Sequence, residues 1–308
     1  MALRPRNAKG VQDIRPASLS IYYCGRRGKP DMFRQKVRVM RRLLVVSTAL
    51  LLPGLPGLGT AGAAAAEAVA NSAAPDVPAS QAASQTLPTV EWVLARYVTA
   101  TGGREALVRH KSMTVRGRNY EPATKREVSG VFYTKEGKFL QVVTLPAGKS
   151  LSGYDGYTAW DLDSHGKVTI QQGDVVKSIA RDADMYYHLH VMQYFRSMEV
   201  IDVQTFNGRP CYHLKGVNNW GKQNEQFYDK ETGLLVGYAF NTAWRGGNGA
   251  ATQVFEDYRD FGGVRMPTKN TTRDGDAVSV FTIASVSWDD VQDSVFELPA
   301  PVRAKLKN

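Results

Sequence analysis

The sequence predicts a mainly β fold with helices (α+β), built on a single curved antiparallel sheet. Three observations carry that expectation. From Lys111 onward, apolar residues recur at every second position in short runs spaced about ten residues apart. Turns rich in Gly, Asn and Asp separate the runs, as at Lys135-Glu136-Gly137 and Asn207-Gly208. Two stretches, 89–101 and 174–198, break the period of two and have helical spacing or composition instead.

Residues 89–101 place Val90, Val93, Leu94, Tyr97 and Val98 on one stripe, with Glu91 and Arg96 off it. Thr89 is the expected N-cap of this helix, and Gly102-Gly103 its stop. A shorter helical piece is expected at 104–109. The first strand then alternates Met113, Val115 and Gly117 with Thr114, Arg116 and Arg118. Runs 128–134 and 138–145 flank the Lys135-Glu136-Gly137 turn as a hairpin, and 151–154, 158–162 and 168–172 continue the meander. Residues 174–198 lack Gly and Pro, so one or two helices are expected there, with Asp174 as a cap. Strands resume at 199–205, 211–216, 225–228 and 234–241; in the 229–233 loop Gly233 is placed for positive φ. Runs 252–258, 265–271 and 278–287 complete the sheet. Residues 293–299 close the domain, and 301–308 are expected to be a tail.

The N-terminal part reads as a targeting segment. Residues 43–52 are mostly apolar, follow Arg41-Arg42, and give way to Pro53, Gly54, Pro56 and Gly57 and then to the small residues 61–66. A basic region, an apolar run of about 7–15 residues and an Ala-x-Ala site make a secretory signal. A membrane-spanning helix needs about 20 apolar residues. The expected division is a basic extension 1–39 ahead of a start at Met40 or Met32, a signal peptide 40–66, a disordered linker 67–87 and a folded domain 88–300. Export from the cytoplasm follows. No lipid anchor is expected, because no cysteine stands after the apolar run.

The charge divides the same way. The chain holds 39 Lys and Arg against 29 Asp and Glu; residues 1–66 hold 12 and 2 of these, leaving 27 of each sign in 67–308. A neutral domain lacks the electrostatic footprint of a nucleic-acid binder. Cys24 lies in the extension, so Cys211 is alone in the domain, within an alternating run where a buried inert thiol is expected.

Motifs that would carry chemistry are incomplete. Gly148-Lys149-Ser150 ends like a phosphate loop, but the Gly needed five residues before Gly148 is Val143. His188-Leu189-His190, near Asp182, Asp184 and Tyr187, offers metal-ligand types, yet residues two apart on a helix point in different directions. No metal or cofactor is expected. Asp161 and Asp163 share a strand face, where acid–base work is conceivable, although acids beside turns are usually solvated. Neither Gly-x-Ser-x-Gly nor His-Glu-x-x-His occurs, and the protein is not expected to be an enzyme.

Aromatic content is the remaining signal. Trp92, Tyr97, Trp160, Tyr186, Tyr187, Phe195, Tyr238 and Phe240 are the expected lining of an apolar cavity, with Tyr194, Trp220 and Trp244 adding to the set. They could equally fill a core. A curved sheet incompletely covered by helices leaves an apolar hollow suited to a lipid or acyl chain, and 174–198 would be its cover.

Several segments, taken in order, carry a resemblance. They are Leu94-Ala95-Arg96-Tyr97 with Thr101-Gly102-Gly103 and Ala106-Leu107, Gly153-Tyr154-Asp155-Gly156 with Trp160, and Arg181-Asp182-Ala183-Asp184. Asn207-Gly208-Arg209, Phe227-Tyr228-Asp229 with Glu231-Thr232-Gly233-Leu234-Leu235, Glu256-Asp257-Tyr258 and Gly263-Val264-Arg265-Met266-Pro267 follow. Together they resemble the LolA-like family of exported outer-membrane lipoprotein-sorting proteins, over roughly 89–300. The resemblance implies a half-barrel around an apolar cavity, with a helical lid. It implies a monomeric periplasmic carrier whose partners are lipid, acyl-chain or lipoprotein cargo and envelope membrane proteins. The alternative is a filled half-barrel serving as a non-catalytic envelope interaction module.

Overall fold

The computed structural model describes residues 86–243, 247 and 249–307. The extension, the signal peptide and the linker up to residue 85 lie outside these, as does Trp244.

Helices α1 (Val90–Ala100) and α2 (Gly103–Arg109) precede six strands: β1 (Ser112–Glu121), β2 (Arg126–Lys135), β3 (Lys138–Leu145), β4 (Gly148–Tyr154), β5 (Ala159–Leu162) and β6 (Val168–Ile170). Helices α3 (Asp174–Asp182) and α4 (Tyr187–Tyr194) follow. Seven more strands come next: β7 (Phe195–Phe206), β8 (Arg209–Asn218), β9 (Gln223–Asp229), β10 (Leu235–Asn241), β11 (Ala250–Phe261), β12 (Val264–Asp274) and β13 (Ala277–Trp288). A 3₁₀ turn (Asp293–Phe296) and helix α5 (Ala300–Leu306) end the domain.

All thirteen strands form one antiparallel sheet in the order β6-β5-β4-β3-β2-β1-β13-β12-β11-β10-β9-β8-β7. The chain enters at the middle, runs out to one edge, crosses, and returns from the other edge until β13 closes on β1. Only α3, α4 and their joints connect the two edges. Thirteen strands span about 58 Å along the sheet at the usual strand spacing. Two helices of nine and eight residues, with extended joints, reach about 49 Å at most. The sheet therefore cannot lie flat, and must curve for the crossing helices to span it. It does not close into a barrel.

Turn chemistry sets the register as expected. Glu136 and Gly137 have φ of 48° and 74° between the paired Lys135 and Lys138, and Asn207 and Gly208 have 48° and 76° between Phe206 and Arg209. Both are mirror-image two-residue turns that suit the strand twist. Thr89 caps α1, its hydroxyl accepting from Trp92 N at 3.2 Å. At the irregularity of β9 and β10, a Cβ on Gly237 would stand 2.0 Å from the Gln253 carbonyl oxygen.

The two faces are covered differently. On the inner face, α1 and α4 pack Val93, Leu94, Tyr97, Tyr187 and Val191 on Leu214, Tyr228, Tyr238 and Phe255. A second inner cluster joins α2 and the α3–α4 joint to Met113, Phe132, Met266 and Phe281. On the outer face, Leu140 and Trp160 are covered by Val291, Phe296 and Val302 from the C-terminal segment.

Three local expectations need correction. The helical stretch ends at Tyr194 rather than Met198: Phe195 pairs with Asn218 and buries its ring in the core, so the chain is already strand there. Asp174 is not a cap. Gly173 takes that position without a side chain, and Asp174 instead pairs with Lys177 at 3.2 Å and Lys222 at 3.7 Å. Residues 300–306 form a helix where a tail was expected, because Val302 is needed to seal the outer-face cluster.

Candidate functional site

The inner face under α3 and α4 is the place where the fold brings unusual chemistry together. Strand β9 points Asn224, Gln226 and Tyr228 inward in succession, and all three are buried. Tyr228 Oη donates to Gln226 Oε1 at 2.7 Å, and Gln226 Nε2 donates to Asn224 Oδ1 at 3.1 Å. Tyr238 stands beside them on β10, edge-on to Phe255 at 5.3 Å. Burial pushes the phenols of Tyr97, Tyr187, Tyr228 and Tyr238 well up, so all four stay neutral. The floor is therefore a hydrogen-bonded aromatic surface rather than a slick of aliphatic side chains.

Arg181 reaches down onto that floor from α3. It is 1 % exposed, and its Nε and Nη2 donate to Asp182 Oδ1 at 3.0 and 2.6 Å. Its guanidinium carbon lies 5.8 Å from the ring centres of both Tyr187 and Trp220. Burial is the largest single influence and opposes the charge, but Asp182, Tyr187 and Tyr238 together outweigh it, and the pKa ends above its ordinary value.

Asp184, in the joint before α4, accepts from Tyr186 N at 2.8 Å, His190 Nδ1 at 2.8 Å and Tyr194 Oη at 2.9 Å. It thereby ties both ends of α4 to one carboxylate. Tyr186 Oη donates to the His110 carbonyl at 2.8 Å, which anchors the helix to the chain before β1.

On the other side of α4 lies a cavity of about 40 Å³. Tyr97, Thr101 and Leu107 form one wall, Met185 and His188 another, and Met113, Met266 and Trp288 are among the sheet residues below. Three methionines around one small space make an adaptable wall. His188 Nε2 lies 3.4 Å from Tyr97 Oη, while its Nδ1 is shielded from solvent and has no partner among the described residues. Burial pulls the His188 pKa from 6.5 to about 4, with Asp184 opposing, so the ring is neutral at pH 7. The volume suits about three waters and falls far short of the ~300 Å³ that a drug-sized ligand needs.

The residues expected to line a cavity are spread out. Tyr97 lines this one. Tyr187, Phe195 and Tyr238 are in the adjoining core, with Phe240 packed against it. Tyr186 is turned to His110. Trp92 is 46 % exposed, edge-on to Tyr212 at 5.7 Å and 4.9 Å from the Arg96 guanidinium. Trp160 is on the outer face, lying over Gly153, where a Cβ would stand 2.4 Å from its ring. Sequence reasoning missed Met113, Met185, Met266, Trp288 and the inward role of Arg181. Met113 and Met266 come to one cavity only through the strand order, in which β1 and β12 both flank β13.

The other residues singled out have local bonds. Asp161 accepts from Ser152 Oγ at 2.6 Å and from Gln171 Nε2, and Asp163 accepts from the backbone N–H groups of His165 and Lys167 at 2.9 Å. Cys211 is buried, and burial pushes its thiol up to about 11.

The chain matches no protein-family model and no curated protein. Solved structures align with it at low identity. A DUF1329 family protein from Desulfovibrio piger is 14 % identical, covering 68 % of this chain and 97 % of its own, with a TM-score of 0.49. A LolA superfamily protein from Nitrosomonas europaea is 15 % identical, covering 69 % and 99 %, with a TM-score of 0.49. A putative outer membrane lipoprotein-sorting protein domain from Vibrio parahaemolyticus is 12 % identical, covering 70 % and 97 %, with a TM-score of 0.47. The described residues form one open antiparallel sheet of thirteen strands. Helices α3 and α4 connect its two edges.

Proposed function

We propose that this domain binds and carries a molecule with an apolar chain (a lipid, an acyl chain or a lipoprotein) in the periplasm, without catalysis. The cargo enters between the α3–α4 connection and the inner face of the sheet. The observation that carries this reading is the soft interface there: Met113, Met185 and Met266 surround a small cavity directly under the crossing helices. Unbranched thioether side chains repack around a guest at little cost. The export segment, the neutral domain and the sequence resemblance support the same reading. The test is native mass spectrometry of protein extracted from membranes. Bound lipid is the expected result; a clean apo mass, together with no uptake of a fluorescent fatty acid, refutes it.

One observation favours a second reading. The cavity under α4 holds only about 40 Å³, which suits an envelope interaction module that holds no cargo. A stable protein partner captured without lipid, from a domain that takes up no fatty acid, would support that reading.

A further inference from the structure

Four buried polar atoms beneath α3 have no hydrogen-bond partner among the described residues: Ser178 Oγ, Arg181 Nη1, Asn218 Nδ2 and Trp220 Nε1. Ser178 and Asn218 are fully buried, and Arg181 nearly so. They gather at one place. Ser178 and Arg181 are one helical turn apart, on the buried side of α3. The Arg181 guanidinium lies 5.8 Å from the Trp220 ring, and Trp220 sits in the 218–222 turn with its backbone N–H on Asn218 Oδ1 at 3.2 Å. That oxygen also accepts from Lys222 N at 2.8 Å, so Asn218 has only its amide N–H left to offer. Guanidinium, indole and amide nitrogen are donors without acceptor capacity, and the Ser178 hydroxyl can donate as well. Buried polar groups in folded proteins are satisfied as a rule, so a cluster of donors lacking an acceptor asks for one from outside.

We propose that this cluster receives the oxygen-rich headgroup, phosphate or carboxylate, of the amphiphilic cargo whose chain enters the methionine-lined cavity. This rests on the carrier reading above. Arg181 lies against Tyr187, and the next residue, His188, lines the cavity. One helix, α4, thus separates the place for the head from the place for the chain. Lifting α3 and α4 opens both together. The headgroup oxygens then accept from Arg181 Nη1, Trp220 Nε1, Asn218 Nδ2 and Ser178 Oγ, while Asp182 continues to hold Nε and Nη2.

The test compares two amphiphiles with the same chain, below their micelle concentrations: dodecyl phosphate and dodecyltrimethylammonium, whose head has no acceptor. Binding is read by displacement of a fluorescent fatty acid. The wild-type domain should prefer dodecyl phosphate by about tenfold or more, the size expected for charge-assisted hydrogen bonds. Residues 67–308 carry equal numbers of acidic and basic groups, so bulk charge does not supply this preference. Ser178→Ala and Trp220→Phe each delete one orphan donor. Both should shrink the preference without lowering the melting temperature of the empty protein. Equal affinity for the two heads, or an unchanged preference in both variants, overturns the proposal and leaves the carrier reading standing. Inorganic phosphate alone binding as tightly as dodecyl phosphate also overturns it, in favour of a free-anion site. Binding of neither amphiphile, nor of the fatty acid, ends both readings.

Discussion

Acid should loosen the α4 side of the inner face, and His188 sets the window. The imidazole is held neutral by burial against Tyr97 and the cavity wall, with a folded-state pKa of about 4 against 6.5 when free. A base whose pKa is depressed on folding binds fewer protons folded than unfolded. Its effect is absent above pH 6.5, and stability is lost as pH falls from 6.5 toward 4. Between pH 7.5 and pH 5 the linkage relation gives a loss of about 2 kcal/mol from this one group. The assay is urea unfolding of the domain at several pH values in that range, for wild type and for His188→Gln. Glutamine keeps a polar contact with Tyr97 but does not titrate. The carboxylates and the other histidines contribute equally to both proteins, so the difference between the two curves isolates His188. The variant should lose about 2 kcal/mol less than wild type between those pH values. A difference below about 0.5 kcal/mol would falsify the assignment of a buried neutral imidazole at this wall.

Three further outcomes follow from the packing. Val302→Ala, at a fully buried position in the outer-face cluster, should cost about 1.5–2.5 kcal/mol in chemical denaturation; a change below about 0.5 would mean that α5 is an unneeded appendage. Gly237→Ala should give little soluble protein, because its Cβ would stand 2.0 Å from the Gln253 carbonyl oxygen; normal yield and melting temperature would show that β10 can shift freely past β11. Cys211, with its thiol pushed up to about 11, should react with a thiol reagent at pH 8 only on unfolding, so rapid labelling of the folded domain would contradict its burial.

Much of the architecture was legible because it is local. Glu136-Gly137, Asn207-Gly208 and the 229–233 loop name their own conformations, and the runs between them alternate. Gly and Asn at those positions take positive φ without a steric penalty, and the neighbouring strands have no choice but to pair. The site was less legible, because it depends on which strands meet across long gaps. Met113 and Met266 are far apart in sequence, and nothing near either predicts that β1 and β12 flank β13. Trp160 was misplaced for the same reason: its face is fixed by pairing with Gly153, which an aromatic inventory does not register. Arg181 beside Asp182 on an amphipathic helix looks like a solvated pair. It is buried only because α3 crosses a closed hollow. The C-terminal helix was legible and overlooked, since Pro301 at its start and Arg303 and Lys305 in its last turn are ordinary helix signals.

The small free volume under α4 bears on function in a way opposite to first appearance. An empty apolar hollow large enough for a guest of ~300 Å³ would cost about 7 kcal/mol at the usual price per unit of cavity. That is comparable to the whole stability of a domain. A carrier released from its cargo must therefore collapse, and a filled inner face is what it should show. What distinguishes a collapsed carrier from a permanently packed module is whether the filling can be undone. β-branched side chains around a rigid floor would resist it; Met113, Met185 and Met266 do not. The buried donors around Arg181 point the same way. A module packed once and for all gains nothing from leaving Trp220 Nε1 and Asn218 Nδ2 without acceptors, whereas a site that is emptied and refilled leaves such groups waiting in its closed state.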